Sequence, residues 1–394
     1  MEYRELNGQK ISLLGFGSMR LPLNSETVTD IDRKTALKMV DEAYRNGVNY
    51  FDTAYPYHEG ESERFVGEAL QRYPRESFYL ADKMPTWLIG SVADGERIFQ
   101  EQLDKCRVKY FDFYLCHAVG QTADDFEKAY LKTGLLDVLK AYKAQGKIRN
   151  LGFSFHGSPE RLEEILKASD WDFVQLQINY LDWTLQQAQR QYRLAEQYRL
   201  PVIVMEPVRG GALHSLCPEA EQILKQASPN SCASWAMRYA ASLPNVLTVL
   251  SGMTKPEHVA DNLQTFASFR PLSDEEKAVV EKAKEAYLKT GFVPCTGCRY
   301  CMDCPFGVDI PEVFRVYNKC ASTLSLPLSF HSHRFIDKDA NRFVAEYEKI
   351  PAQKRADRCR SCNRCTRHCP QHIDIPQKMQ EIAEIYRDVT QKDE

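Results

Sequence analysis

Four residues stand where apolar runs give way to polar ones: Asp52 and Tyr57 in NYFDTAYPY, Lys83 closing FYLADK, and His117 closing FDFYLCH. Together they form a set able to reduce a carbonyl, which needs a hydride at the carbon and a proton at the oxygen. Tyr57 serves as the proton donor if a neighbouring cation acidifies its phenol, whose ordinary pKa is about 10. Lys83 is expected to be that cation, with Asp52 pairing to hold it charged and in place, while His117 orients the carbonyl oxygen through a hydrogen bond. Taken singly, each has a plainer role: Asp52 as a turn former, Tyr57 as a wall, Lys83 on the surface, His117 as a satisfied core histidine. Their shared position at strand ends carries the reading.

The second chemistry lies in the cysteines. Of thirteen, eight fall in two runs: Cys295, Cys298, Cys301 and Cys304 in CTGCRYCMDCP, and Cys359, Cys362, Cys365 and Cys369 in CRSCNRCTRHCP. Such spacing reads as metal ligation rather than disulfides. The second run has the bacterial ferredoxin pattern for a 4Fe–4S cluster, in which three close thiolates hold one cluster and the fourth reaches the other. Shared in that way, Cys295, Cys298 and Cys301 take Cys369 as their fourth partner, and Cys359, Cys362 and Cys365 take Cys304. The first run is one residue shorter before its last cysteine. Structural zinc on four thiolates is the alternative, against which stands the Cys-Pro that closes each run. His331, His333, His368 and His372 are candidate secondary ligands, with exposed polar roles as the plainer reading. Cys106, Cys116, Cys217, Cys232 and Cys320 are scattered and read as small buried hydrophobes.

These residues need elements to hold them. Asn7-Gly8 favours a tight hairpin, placed to plug the bottom of a barrel. Short apolar runs then alternate with amphipathic stretches about eight times, as in parallel βα units. The strand candidates are 13–17, 50–54, 78–82, 111–117, 151–155, 173–178, 201–206 and 246–251. Helices are expected in ESERFVGEALQRY, in ERIFQEQLDKCRV and after Ser158-Pro159, a cap followed by a first-turn proline. The fold class is therefore α/β, a (β/α)8 TIM barrel, whose strand ends converge on one mouth. Ser273 and Glu276 form a capping box for a connecting helix. The expected domains are a barrel over 1–272, a connecting helix over 273–289, and a small, mainly helical ferredoxin-like domain over 290–394. Within that tail CPFGVDIPEVF and CPQHIDIPQKM repeat Cys-Pro and Asp-Ile-Pro at equal offsets, two copies of one local unit.

Composition limits the partners. A hydrophobic content of 43% supports a sizeable core, and a net charge of −3 gives no reason to expect nucleic acid or an anionic membrane. MEYRELNGQK lacks an apolar signal core, and no apolar run reaches the roughly 20 residues of a membrane span. The expected setting is cytoplasmic.

The stretch FDTAYPYHEGESERFVGEAL, with five residues from Asp52 to Tyr57, resembles the signature of the aldo-keto reductase family. Lys83 and His117 fall where that family has its lysine and histidine. The resemblance implies NADH or NADPH as cofactor and a small carbonyl or alcohol as substrate. It places Ser154 in GFSFHG and Gln177 in QLQINYLD at the nicotinamide carboxamide, and Asp261 and Asn262 at adenine. It extends to a bacterial branch with a cysteine-rich C-terminal 4Fe–4S tail. Four positions, in three departures, differ from the family: Phe155 replaces an asparagine, Met205 replaces the aromatic ring stacked on nicotinamide, and Gly252 and His258 replace cations that clamp the 2′-phosphate. The last change favours NADH.

A hydride carries two electrons and a 4Fe–4S cluster passes one, and no flavin fingerprint is present to mediate. The clusters therefore serve a ferredoxin or flavoprotein partner, a stepwise reduction, or the fold itself. Two rival functions follow from the depleted phosphate clamp: an electron-transfer protein whose barrel binds a partner, and a redox sensor that binds nicotinamide without carbonyl turnover. The complete tetrad favours the reductase.

Overall fold

The structure, a computed structural model, describes residues 1–322 and 337–390. His331 and His333 lie outside them. The chain opens with a hairpin of β1 (Tyr3–Leu6) and β2 (Gln9–Ser12), turned by Asn7 and Gly8, both at positive φ. Glycine takes that backbone without strain. Ile11 joins the barrel's interior cluster and Asn7 donates to Asn150 Oδ1 at 3.2 Å, so the hairpin sits against one end of the barrel, as a plug should.

Eight parallel strands follow: β3 (Leu14–Gly17), β4 (Tyr50–Asp52), β5 (Tyr79–Pro85), β6 (Phe111–Val119), β7 (Ile148–Phe155), β8 (Phe173–Gln177), β9 (Val202–Met205) and β10 (Val246–Gly252). They close in sequence order, β10 pairing with β3. All eight expected runs became strands because each is buried on both faces, which demands near-continuous apolar residues.

Side chains alternate along a strand, so parity decides what faces inward. Tyr50, Ala81, Phe113, Leu115, Phe173 and Ile203 pack inside the barrel. Phe51, Leu80, Tyr114, Phe153, Val174 and Val204 face the helices in the larger outer core. Asp52, Lys83, His117, Gln177 and Met205 each lie two residues beyond an inward residue, or four, and share its parity, and Ser154 has the opposite parity to outward Phe153 and Phe155.

The expected helices form as Glu61–Leu70, Val92–Cys106 and Pro159–Lys167, the last capped by Ser158 Oγ accepting from the Arg161 N–H. By compactness the chain divides into two units, Met1–Val208 with Ala233–Ser273, and Arg209–Cys232 with Asp274–Glu394. The second unit includes helix Pro218–Ala227 because it packs along helix Asp274–Leu288. Its own core gathers Val293, Val313, Phe314, Phe343, Tyr347, Met379 and Ile382. Both copies of the repeat start a helix, Ile310–Ser322 and Ile375–Thr390. Asp309 and Asp374 accept from the Glu312 and Gln377 N–H groups at 3.4 and 3.2 Å, and the proline stands where a missing N–H costs nothing.

Candidate active site and cysteine centre

The tetrad assembles at the C-terminal ends of three adjacent strands. Lys83 Nζ, fully buried, donates to Asp52 Oδ1 and to the Thr53 carbonyl, each at 2.6 Å. Tyr57 follows β4 in a short 3₁₀ turn, and its ring centroid is 4.9 Å from Lys83 Nζ. His117 meets the Tyr57 ring edge-on, with centroids 6.1 Å apart. Trp87, half exposed, lies tilted against His117 with ring centroids 5.2 Å apart.

Burial governs the electrostatics. It pushes the Tyr57 phenol well above its ordinary pKa, assisted by Asp52 and Glu206 and opposed by Arg20. The acidification expected from Lys83 is therefore not found: Asp52 neutralises that lysine, and desolvation dominates. At neutral pH the phenol keeps its proton, the form a donor requires. Burial also holds His117 well below the usual imidazole range, with Lys83 and His156 adding to it, so the ring is neutral. His117 Nδ1 and Asp52 Oδ2 are buried and without a hydrogen-bond partner among the described residues.

Ser154, Gln177 and Met205 follow on β7, β8 and β9. Ser154 Oγ accepts from the Ala118 N–H at 2.8 Å, Gln177 Nε2 donates to Asp182 Oδ2 at 2.7 Å, and Met205 is Gln177's register partner. Gln175 Nε2 lies 3.5 Å from Met205 Sδ, and its Oε1 is buried without a partner. A hydroxyl, amides and a thioether in one row, with orphaned polar atoms beside them, fit a nicotinamide and its carboxamide. Phe155 has the opposite parity and packs in the outer core.

The nucleotide positions lie on β10 and the helix Pro256–Ala267. Gly252 is exposed, His258 Nδ1 accepts from the Thr254 N–H at 3.3 Å, and Asp261 is half-buried. Asn262 is turned inward, donating to Ser251 Oγ at 2.8 Å. Sequence reasoning missed Arg20. Its aliphatic stem lies along Gly252, within 3.4 Å of where a Cβ would stand, and its Nη2 reaches Glu206 Oε1 at 3.2 Å. A loop arginine paired 186 positions away leaves no local signal.

In the second unit Cys295, Cys298, Cys301 and Cys369 line one small cavity, with Ile310, Phe314, Ile373 and Ile375 as apolar walls. Burial, then the charges of Cys298, Cys295, Cys369 and Cys365, push the Cys301 thiol far up. Four thiols in an apolar wall fit the edge of an iron–sulfur cluster, which spaces its ligands wider than one ion does. Cys304, Cys359 and Cys365 rest on the same small core, while Cys362 is exposed. Among the described residues no three His, Cys, Asp or Glu side chains converge tightly enough to hold a single metal ion. His368 and His372 are exposed, and the five scattered cysteines are all buried.

Comparison with known proteins agrees with both halves. Residues 13–285 match the Aldo/keto reductase family, and residues 294–374 match a 4Fe-4S dicluster domain. The chain is 25% identical over 311 residues to the uncharacterized oxidoreductase YqkF of Bacillus subtilis, covering 71% of this chain and 95% of that one. It is 26% identical over 320 residues to the NADH-specific methylglyoxal reductase of Escherichia coli, covering 70% and 95%. Among solved structures, the holo form of aldo-keto reductase AKR11C1 from Bacillus halodurans superposes with a TM-score of 0.60 at 27% identity, over 72% of this chain and 96% of that one. No helix among the described residues is long and apolar enough to cross a membrane. The chain belongs to the aldo/keto reductase family and is an oxidoreductase whose barrel is continued by a 4Fe–4S dicluster domain.

Proposed function

We propose that the barrel reduces a small carbonyl with Tyr57 as proton donor, and that the tail holds two 4Fe–4S clusters. The observation that carries the first part is the buried Asp52–Lys83 pair, 2.6 Å long, set against the Tyr57 ring with neutral His117 at its edge. Nicotinamide, when bound, supplies the hydride. Tyr57 gives its proton to the carbonyl oxygen. Lys83, anchored by Asp52 and the Thr53 carbonyl, steadies the phenolate left behind. His117 hydrogen-bonds the same oxygen and fixes its direction, while Trp87 forms a wall beside it.

Ser154, Gln177 and Met205 would hold the nicotinamide, and Gly252, His258, Asp261 and Asn262 the adenylate half. NADH is favoured: Gly252 has no charge to offer a 2′-phosphate, and Arg20 beside it is engaged by Glu206. The similarity to an NADH-specific methylglyoxal reductase supports this choice and suggests small 2-oxoaldehydes as first substrates to try.

For the tail, the shared ligand sets are Cys295, Cys298, Cys301 with Cys369, and Cys359, Cys362, Cys365 with Cys304. The common cavity of the first set supports the exchange of fourth ligands. The clusters would supply one-electron exchange with a ferredoxin or flavoprotein in the cytoplasm, where such thiolates stay reduced. The domain division we adopt is a barrel over 1–272, a connecting helix over 273–289 and an iron–sulfur domain over 290–394. Anaerobically prepared holoprotein should oxidise NADH when given methylglyoxal or related small aldehydes. Absence of turnover across such a panel would refute the carbonyl reductase.

A further inference from the structure

The two cysteine runs are presented differently. Cys295, Cys298 and Cys301 line an apolar cavity together with Cys369, whereas Cys359, Cys362 and Cys365 alternate with exposed basic side chains. Cys362 is exposed, and so are Arg358, Arg360, Arg364 and Arg367 around it. Asp357 is the sole acidic residue between Lys354 and Cys369. None of those four arginine side chains makes an ion pair or hydrogen bond with a described residue. Several other basic side chains of the same unit are paired, as in Arg315–Glu312, Lys319–Glu346 and Lys378–Glu381. The chain as a whole carries a net charge of −3, so this is a local field.

Four unmatched guanidinium groups within ten residues create a positive surface that steers an acidic partner toward it. Arginine is suited to such a contact, because its planar fork pairs carboxylates two bonds at a time. Among these arginines in sequence stand Cys359, Cys362 and Cys365, assigned above to a cluster, of which Cys362 is exposed, with Ser361 and Asn363 between them at positive φ. No Phe, Tyr or Trp occurs between Pro351 and Pro370, so the patch has no aromatic platform of the kind on which nucleic-acid bases stack. An arginine collar around a redox centre, without stacking rings, matches a protein that arrives to exchange an electron.

We propose that the face around Cys362 is the docking surface for an acidic one-electron carrier protein. This rests on the two-cluster reading of the tail. In the exchange the carrier loses one electron and the cluster of the second run gains it, with no proton and no bond made or broken. The reverse transfer uses the same contact.

The test uses anaerobic holoprotein of the full chain and, as probe, a reduced plant-type 2Fe–2S ferredoxin of strongly negative charge. Stopped-flow rates of cluster reduction should fall about tenfold or more between ~20 mM and ~0.5 M salt. The triple variant Arg360→Glu, Arg364→Glu, Arg367→Glu should be at least ~tenfold slower at low salt and lose that salt dependence. Reduced methyl viologen, a small cation, should reduce variant and wild type at comparable rates, which establishes that the variant is folded and loaded. Equal ferredoxin rates in the two proteins, with iron content intact, would overturn the docking surface. Arginine-dependent capture of a DNA or RNA oligonucleotide in preference to ferredoxin would overturn it as well. Wild-type protein lacking iron in the second run would instead sink the cluster reading beneath it, an outcome that iron analysis separates from a docking failure.

Discussion

The barrel mouth and the cysteine tail reach their chemistry by opposite routes. At the mouth, Asp52, Lys83 and His117 are far apart in sequence and are brought together by strand register and parity, with a salt bridge that is complete in the protein alone. In the tail, the candidate ligands are adjacent in sequence, and the fold supplies a small core and two capped helices while the thiols line a cavity. A site built by β-register is pre-organised before its cofactor arrives. A site built from consecutive cysteines on loops depends on the metal for its final geometry. Damage to one should therefore spare the other.

The largest effect that would break this comparison belongs to the mouth. Tyr57→Phe removes the proposed proton donor while keeping the ring, so carbonyl reduction should fall by about 10²–10⁴ with nicotinamide binding unchanged in a fluorescence titration and iron content unaltered. Near-normal turnover would assign the proton to another group. Next comes the tail: Cys369→Ala should strip iron from the first run although the mutation lies in the second, lowering the count from about eight per chain toward about four. Loss of the second run's cluster instead, as seen by electron paramagnetic resonance, would mean each run keeps its own fourth cysteine. Through either result the mouth should retain its nicotinamide affinity.

Cofactor choice is a subtler probe of the mouth. NADH should bind more tightly than NADPH by about 1 kcal/mol, the cost of a phosphate without a charged partner, in calorimetric titrations of each. Arg20→Ala should leave that margin unchanged, since Glu206 already engages the guanidinium; a collapse of NADPH binding in this variant would make Arg20 the clamp. The smallest effect concerns the outer face of the same strand. Asp82, next to Lys83 but of opposite parity, is buried with Glu63 and Cys106, whose Sγ lies 3.6 Å from Asp82 Oδ2. Burial and then Glu63 raise its carboxyl well above the usual range. A raised carboxyl contributes stability that is present at low pH and lost as pH climbs through its folded value. Asp82→Asn should therefore lessen the fall in stability as pH rises from about 4, where the unfolded carboxyl titrates, in urea melts across a pH series. An unchanged slope would show that Asp82 titrates normally.

Much of this was legible beforehand, for definable reasons. Strands buried on both faces read as apolar runs, so FDFYLCH announced Phe111–Val119, and a polar residue closing such a run marks the barrel's mouth. The repeated Asp-Ile-Pro announced two capped helices. What stayed hidden depends on long-range packing. The Arg20–Glu206 pair and the carboxyl pair behind Lys83 involve residues whose types and spacing are ordinary. The direction of the Tyr57 shift was misread because a nearby lysine suggests acidification, whereas burial and the competing Asp52 set the sign. Segment 209–232, read as barrel from its position in the chain, is grouped with the tail because one of its helices packs on Asp274–Leu288.

The most direct test of the central claim is to follow a hydrogen isotope. Holoprotein supplied with NADH deuterated at C4 and with methylglyoxal or another accepted small aldehyde should place deuterium on the carbinol carbon of the product, one per NADH consumed. The clusters should remain in their starting oxidation state by electron paramagnetic resonance throughout. Product formed without the label, with cluster reduction keeping pace with NADH oxidation, would contradict direct hydride transfer at the Tyr57–Lys83 site and move the chemistry to the tail.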